Sequence, residues 1–286
     1  PFSGTIDGAG HKLTVAEGGR PLLEYARDAK VLNLDIYGKK INGAGLLEKG
    51  TIDYGPDEIY QELTDPDVIT LENVKLLSGS QTKDSGLVFG GATSGINDVI
   101  IKNCVIQPGV IVGYDKQQSA IGSFVGKLNG RIENSVSYAE VYGINNVGGL
   151  AAYKGQSMGA CEVVNSAFLG KIIATGNQVG GILASGYISG SAPSTPPVTI
   201  RNCYVAADIT ANGGAIGGIL GSEEGAVGLI NRGAIRDNHF YGTITDTNPD
   251  AAVRYKNVGG ILGKSGSYNA DLLTYQNNYY LTNANY

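Results

Sequence analysis

Ile121-Gly122-Ser123, Val147-Gly148-Gly149-Leu150, Val179-Gly180-Gly181-Ile182-Leu183, Ile216-Gly217-Gly218-Ile219-Leu220-Gly221 and Val258-Gly259-Gly260 are one phrase written five times. Their starts lie 26, 32, 37 and 42 residues apart. A second phrase alternates with the first, an apolar residue two places before an asparagine. It reads Ile101-Lys102-Asn103-Cys104, Ile132-Glu133-Asn134-Ser135, Val163-Val164-Asn165-Ser166 and Ile200-Arg201-Asn202-Cys203. Ile235-Arg236-Asp237-Asn238 continues it with Asp for Asn, and Tyr275-Gln276-Asn277-Asn278 closes it. Upstream, Val31-Leu32-Asn33 and Leu71-Glu72-Asn73 fit the same frame.

Around each asparagine the pattern alternates with period two, so Ile200, Asn202 and Tyr204 are expected on one face and Arg201 and Cys203 on the other. Short alternating runs bounded by glycine are strands. Strands this short bury no face alone, but repeats stacked on one another do, which makes a solenoid the economical architecture. Equivalent strands then pair in parallel at about 4.8 Å per coil. Asn103, Asn134, Asn165, Asn202 and Asn277 should form a ladder at one bend, and the glycine pairs should supply positive φ at another. Variable spacing between fixed landmarks places insertions at coil corners, expected at 46–68, 185–197, 222–233 and 245–257. One β-helix domain over residues 1–286 follows, and the patterned opening at Pro1-Phe2 suggests a segment of a larger protein.

Composition agrees with an all-β chain. Glycine is 44 of 286 residues, about twice the roughly 7% average, and that much glycine dissolves helices. The glycines have no period of three, so collagen is excluded. Net charge is −5, and without a basic stripe nucleic acid is not an expected partner. No apolar run reaches the roughly 18 residues of a membrane span. The three cysteines, Cys104, Cys161 and Cys203, have neither disulfide-framework nor zinc spacing. Cys104 and Cys203 are three landmarks apart, about 14 Å at one coil per landmark, too far to bridge. They are expected as free thiols in register with Ser135 and Ser166.

The glycine phrases resemble the GLUG repeat of bacterial surface proteins. Phe2-Ser3-Gly4-Thr5-Ile6-Asp7-Gly8-Ala9-Gly10-His11 resembles the opening of such arrays and of right-handed β-helices more widely. The resemblance implies a right-handed parallel β-helix in an extracellular, cell-surface setting, as in adhesin-like wall proteins, and names no reaction.

The chemistry-bearing residues are few. Only His11 and His239 are present, far apart, so a zinc-protease pair or a Ser-His-Asp triad lacks its parts. Asp246-Thr247-Asn248-Pro249-Asp250 begins like a calcium loop, but Ala251 and Asn257 stand where glycine and glutamate are required. A polar turn is expected there, with no metal and no cofactor. Carboxylates crowd the first insertion: Glu48, Asp53, Asp57, Glu58, Glu62, Asp65 and Asp67. A glycosidase needs two carboxyls about 5–9.5 Å apart; Asp57, Asp65 and Asp67 are the candidates, with Tyr54, Glu58 and Tyr60 to bind sugar. The plainer reading of that insertion is a solvated acidic loop with a short helix over 57–63. The leading expectation is a non-catalytic surface module for adhesion, spacing or self-assembly. Its partner is a glycan, another surface ligand or like subunits stacked end to end. The alternative is an oligosaccharide glycosidase acting through the 46–68 insertion.

Overall fold

The computed structural model describes residues 2–49, 67–88, 97–154, 160–186, 198–223, 234–250, 252, 254, 256–265 and 274–282. These residues form strands and turns with no helix, hence none long and apolar enough to cross a membrane. Every strand pairing among them is parallel and joins one coil to its neighbour, in sheets of ten, thirteen, five and five strands. This stacking of parallel strands is consistent with a β-solenoid.

One coil shows the plan. Gly130–Glu133 lies in the first wall, between Asn97–Lys102 below and Cys161–Val164 above. The chain bends at Asn134 and runs Val136–Ser137 and Glu140–Gly143 along the second wall. Val147–Gly148 makes the short third wall and Ala151–Lys154 the fourth. Cys161–Val164 then starts the next coil. The first wall sends one row inward, Val31, Leu71, Ile101, Ile132, Val163, Ile200 and Ile235, each in register with the next and at most 1% exposed. Apolar surface that one coil cannot hide is thus hidden by two.

The bend explains the asparagines. Asn33, Asn73, Asn103, Asn134, Asn165, Asn202 and Asn277 hold φ between 49° and 55°, and Asp237 stands at 57°. L-residues avoid this left-handed region, and Asn and Asp enter it at least cost. Their side chains then meet across coils. Nδ2 of Asn73 donates to Oδ1 of Asn33 (3.0 Å), Asn165 to Asn134 (3.3 Å), Asn202 to Asn165 (3.2 Å) and Asn277 to Asp237 (3.1 Å). Asn33 donates to Asp7 (3.1 Å), which lies at the start of the ladder.

The left-handed residue also resets the alternation, which corrects the expected facing. Ile200 and Cys203 both point inward, whereas Asn202 and Tyr204 are exposed. The position after each bend is therefore an inner row, and its polar members receive a backbone N–H from the coil before. Cys104 N donates to Ser135 Oγ (3.1 Å), Ser135 N to Ser166 Oγ (3.2 Å) and Cys203 N to Asn238 Oδ1 (3.0 Å). Cys104, Cys161 and Cys203 are buried and unbridged. Burial pushes their thiols up, to about 11, 12 and 12.

The paired glycines have a different reason from the one expected. None of Gly148, Gly149, Gly180, Gly181, Gly217 and Gly218 is among the residues of positive φ. Space decides them. A Cβ on Gly148 would collide with the carbonyl of Ala151 within its own coil. A Cβ on Gly149 would collide with the carbonyl of Gly181 one coil on, and would lie 2.6 Å from the Phe168 ring. Gly218 meets Gly260 and Phe240 in the same way. Ser123 replaces glycine in the coil where the next rung offers Ser137 in the row that then carries Phe168.

Between the fourth wall of one coil and the first wall of the next, the described residues end at 49, 88, 154, 186, 223 and 265 and resume at 67, 97, 160, 198, 234 and 274. The insertion expected at 46–68 is narrower, because Leu47–Lys49 and Asp67–Glu72 are strands whose Leu47 and Ile69 are fully buried core residues. That expected at 245–257 falls at another corner, between His239–Asp246 and Val258–Gly259.

Replacing Asn165 tests the bend. Asn165→Ala should lower the unfolding free energy by about 1–3 kcal/mol, through left-handed strain and the loss of its two side-chain bonds, to Asn134 and from Asn202. Asn165→Gly should cost less, because it removes only the bonds. Denaturant titration reads both.

Candidate functional site

Of the sequence candidates, Asp57, Asp65, Tyr54, Glu58 and Tyr60 lie outside the described residues, as does the expected 57–63 helix. Asp67 begins strand Asp67–Glu72, paired with Asn97. The structure instead gathers carboxylates beside the root of that insertion. Val88 bridges Val125, so counting back sets Asp84 in the place of Ile121, the apolar start of the glycine phrase. Asp84 is half-buried there, its N–H donating to the Gly43 carbonyl (3.2 Å) and its own carbonyl accepting from Thr82 Oγ1 (2.9 Å).

Burial pushes the Asp84 carboxyl up to about 6; the Lys83 ammonium opposes this, and the Asp115 and Glu48 carboxylates add to it. Asp115 is pinned by the N–H of Gln117 and Nε2 of Gln118, both at 3.0 Å. Glu48 Oε2 is buried without a hydrogen-bond partner. An acid near neutrality with further carboxylates around it is the material of proton-transfer chemistry. Among the described residues no group of three His, Cys, Asp or Glu is arranged to hold a metal ion. Asp84 escaped the sequence reading because the phrase was started at Ile121. Its signal was Asp84-Ser85-Gly86 in a column otherwise read as Ile or Val before glycine.

A second feature is polar and extended. At the corner between the second and third walls, Asn145, Asn146, Asn177, Gln178, Gly214, Ala215, Asn257 and Lys264 line a groove of about 450 Å3 that crosses successive coils. Asn146 and Gln178 hold φ of 54° and 61° at equivalent positions. Asn177 N donates to Asn145 Oδ1 (2.8 Å), so the Asn145 amide is fixed by the next rung. Gly214 gives Asn177 its room, since a Cβ there would lie 2.6 Å from Oδ1.

The residues that begin like a calcium loop form consecutive side-chain turns. Asn248 N donates to Asp246 Oδ1, Asp250 N to Asn248 Oδ1 and Ala252 N to Asp250 Oδ1, each at 2.9 Å. His239 is in register with Tyr204 and Tyr279 in an outward row and stacks on Tyr279 at 5.2 Å. No protein-family model, curated protein or solved structure matches the chain.

Asp84 makes stability depend on pH. Its folded pKa is raised, so the folded state holds the proton more tightly than the unfolded chain. Stability from the neutral form is complete below the ordinary value of 3.8 and is lost as pH rises to about 6. Melting temperature should therefore fall over that interval, and Asp84→Asn should remove this part of the slope. An unchanged slope in Asp84→Asn contradicts the assignment.

Proposed function

We propose that this chain is a non-catalytic, right-handed β-helical module of a bacterial cell surface, a rigid extracellular rod that holds a hydroxyl-rich chain such as a glycan. The observation that carries this reading is the amide groove. Side-chain amides both donate and accept, and they stand on three of the four rungs that line the groove, Gly214 and Ala215 taking the remaining one, with rungs about 4.8 Å apart. A polymer with repeating hydroxyls offers the matching pattern for the amides, and Lys264 adds one cationic donor to the groove. Support for the hand comes from twisted parallel strands, which favour right-handed crossovers. The likeness of the glycine phrases to GLUG repeats supports the extracellular setting. Like subunits stacked end to end would lengthen the same rod.

Titration calorimetry with soluble wall and capsule oligosaccharides tests the reading. A binding oligosaccharide should lose at least about tenfold in affinity, or about 1.4 kcal/mol, in the Gln178→Gly/Asn257→Ala double variant. The melting temperature should hold, because Gly accepts the positive φ at residue 178. Absence of binding across the panel overturns the reading.

The Glu48, Asp84 and Asp115 carboxylates favour a second reading, an oligosaccharide glycosidase with Asp84 as acid and Glu48 as its partner. Hydrolysis of a glycan panel should then be abolished by Asp84→Asn and by Glu48→Gln. Asn replacements of Asp57, Asp65 and Asp67 test whether the insertion contributes.

A further inference from the structure

A second buried polar cluster lies where the fourth wall passes into the first. Val99 is in register with Gly130, so Asp98 and Asn129 are neighbours one rung apart, and Val99 N donates to the Asn129 carbonyl (2.6 Å). Lys154 is in register with Leu128, the residue before Asn129. The three side chains thus belong to one corner on consecutive rungs, Asp98 lowest and Lys154 highest. Lys154 is 0% exposed and Asn129 3%. Oδ1 of Asn129 and Oδ1 of Asp98 are both buried without a hydrogen-bond partner. Orphaned oxygens of this kind are costly and require an explanation.

The charges point the same way. Burial pulls the Lys154 ammonium down, opposed by Cys161 and Asp98, and burial raises Asp98, opposed by Lys154. Lys154 and Asp98 act on one another electrostatically, and the register sets Asn129 on the rung between theirs. The shifts drive the pair toward a neutral amine and a neutral acid. Cys161 does not compete as a nucleophile, since burial holds its thiol at about 12.

We propose that Lys154 and Asn129 are joined by an intramolecular amide bond, with Asp98 as the positioning acid. The lysine ammonium passes a proton to the Asp98 carboxylate. The neutral Nζ attacks Asn129 Cγ while the Asp98 O–H donates to Oδ1. The tetrahedral carbon collapses, the Cγ–Nδ2 bond breaks, and ammonia leaves with the surplus proton. One N–C bond forms, one breaks, and no oxidant or cofactor takes part. The product closes one whole coil, residues 129 to 154, into a covalent ring. Such a link restricts the unfolded chain as a disulfide does, and in a rod it resists fraying of that coil.

Intact-mass spectrometry of the purified full chain tests this. The expected mass is lower than the sequence mass by one ammonia, with a tryptic species joining the Lys154 and Asn129 peptides. Asn129 precedes Gly130, and cyclisation of Asn-Gly to a succinimide would lose the same mass. That product leaves the peptides separate, persists in Lys154→Met and is cleaved by hydroxylamine. The cross-link survives hydroxylamine and is absent from Lys154→Met, and Asp98→Asn should slow or abolish it. The linked peptide is read on the unaltered chain, so the test does not depend on variants that fold. Full sequence mass, or a loss of ammonia without the linked peptide, overturns the proposal.

Discussion

A backbone that turns through positive φ at the end of each first-wall strand is the constraint on which this structure rests. With φ near 50°, each asparagine ends a first-wall strand and sends the chain into the second wall. It does so at the same place in every coil, so side chains of neighbouring bends meet, as Asn165 does with both Asn134 and Asn202. The strands gain most of their hydrogen bonds from other coils, and no coil is satisfied alone. Energies are shared between neighbours, and a defect at one bend is felt on both sides.

Close approach is the second consequence. Coils set one strand spacing apart leave no room for side chains where the third wall turns, and the glycine column follows from that. Gly149, Gly181 and Gly218 lie beneath carbonyls and beside Phe168, Val205 and Phe240 of the following coil. The ring fills the space that a Cβ would take. This interlock holds the coils at one register, as a close-packed interior requires. It also pushes chemistry outward to corners, where the amide groove and the Asp84 cluster are found.

Much of this was legible in the sequence because rungs stacked in register repeat their residues. The asparagine at each bend, the glycine phrase and the parallel stacking all declare themselves by recurrence. What failed was local. Alternation through Asn202 was carried across the bend, although a left-handed residue shifts the phase and turns Cys203 inward. The glycine pairs do not take the expected positive φ: the first of each pair is required by a carbonyl of its own coil and the second by contact with the next. Gly43-Ala44-Gly45 and Asp84-Ser85-Gly86 were not seen as earlier copies, so an acid in an apolar column went unnoticed. Asp98, Asn129 and Lys154 have no motif spacing at all, and only the pairing register brings them to one corner.

The most direct test of stacking in register uses the outer face of the first wall, where Arg131, Glu162 and Thr199 occupy successive rungs. Arg131 Nη1 already lies 3.6 Å from Glu162 Oε2. A disulfide requires Cα atoms within about 7 Å, which one rung satisfies and two rungs, about 10 Å, do not. Cysteines at 131 and 162 should cross-link under mild oxidation, and cysteines at 131 and 199 should not. Efficient bridging of 131 to 199, or none between 131 and 162 in folded protein, would contradict the stacked-coil account.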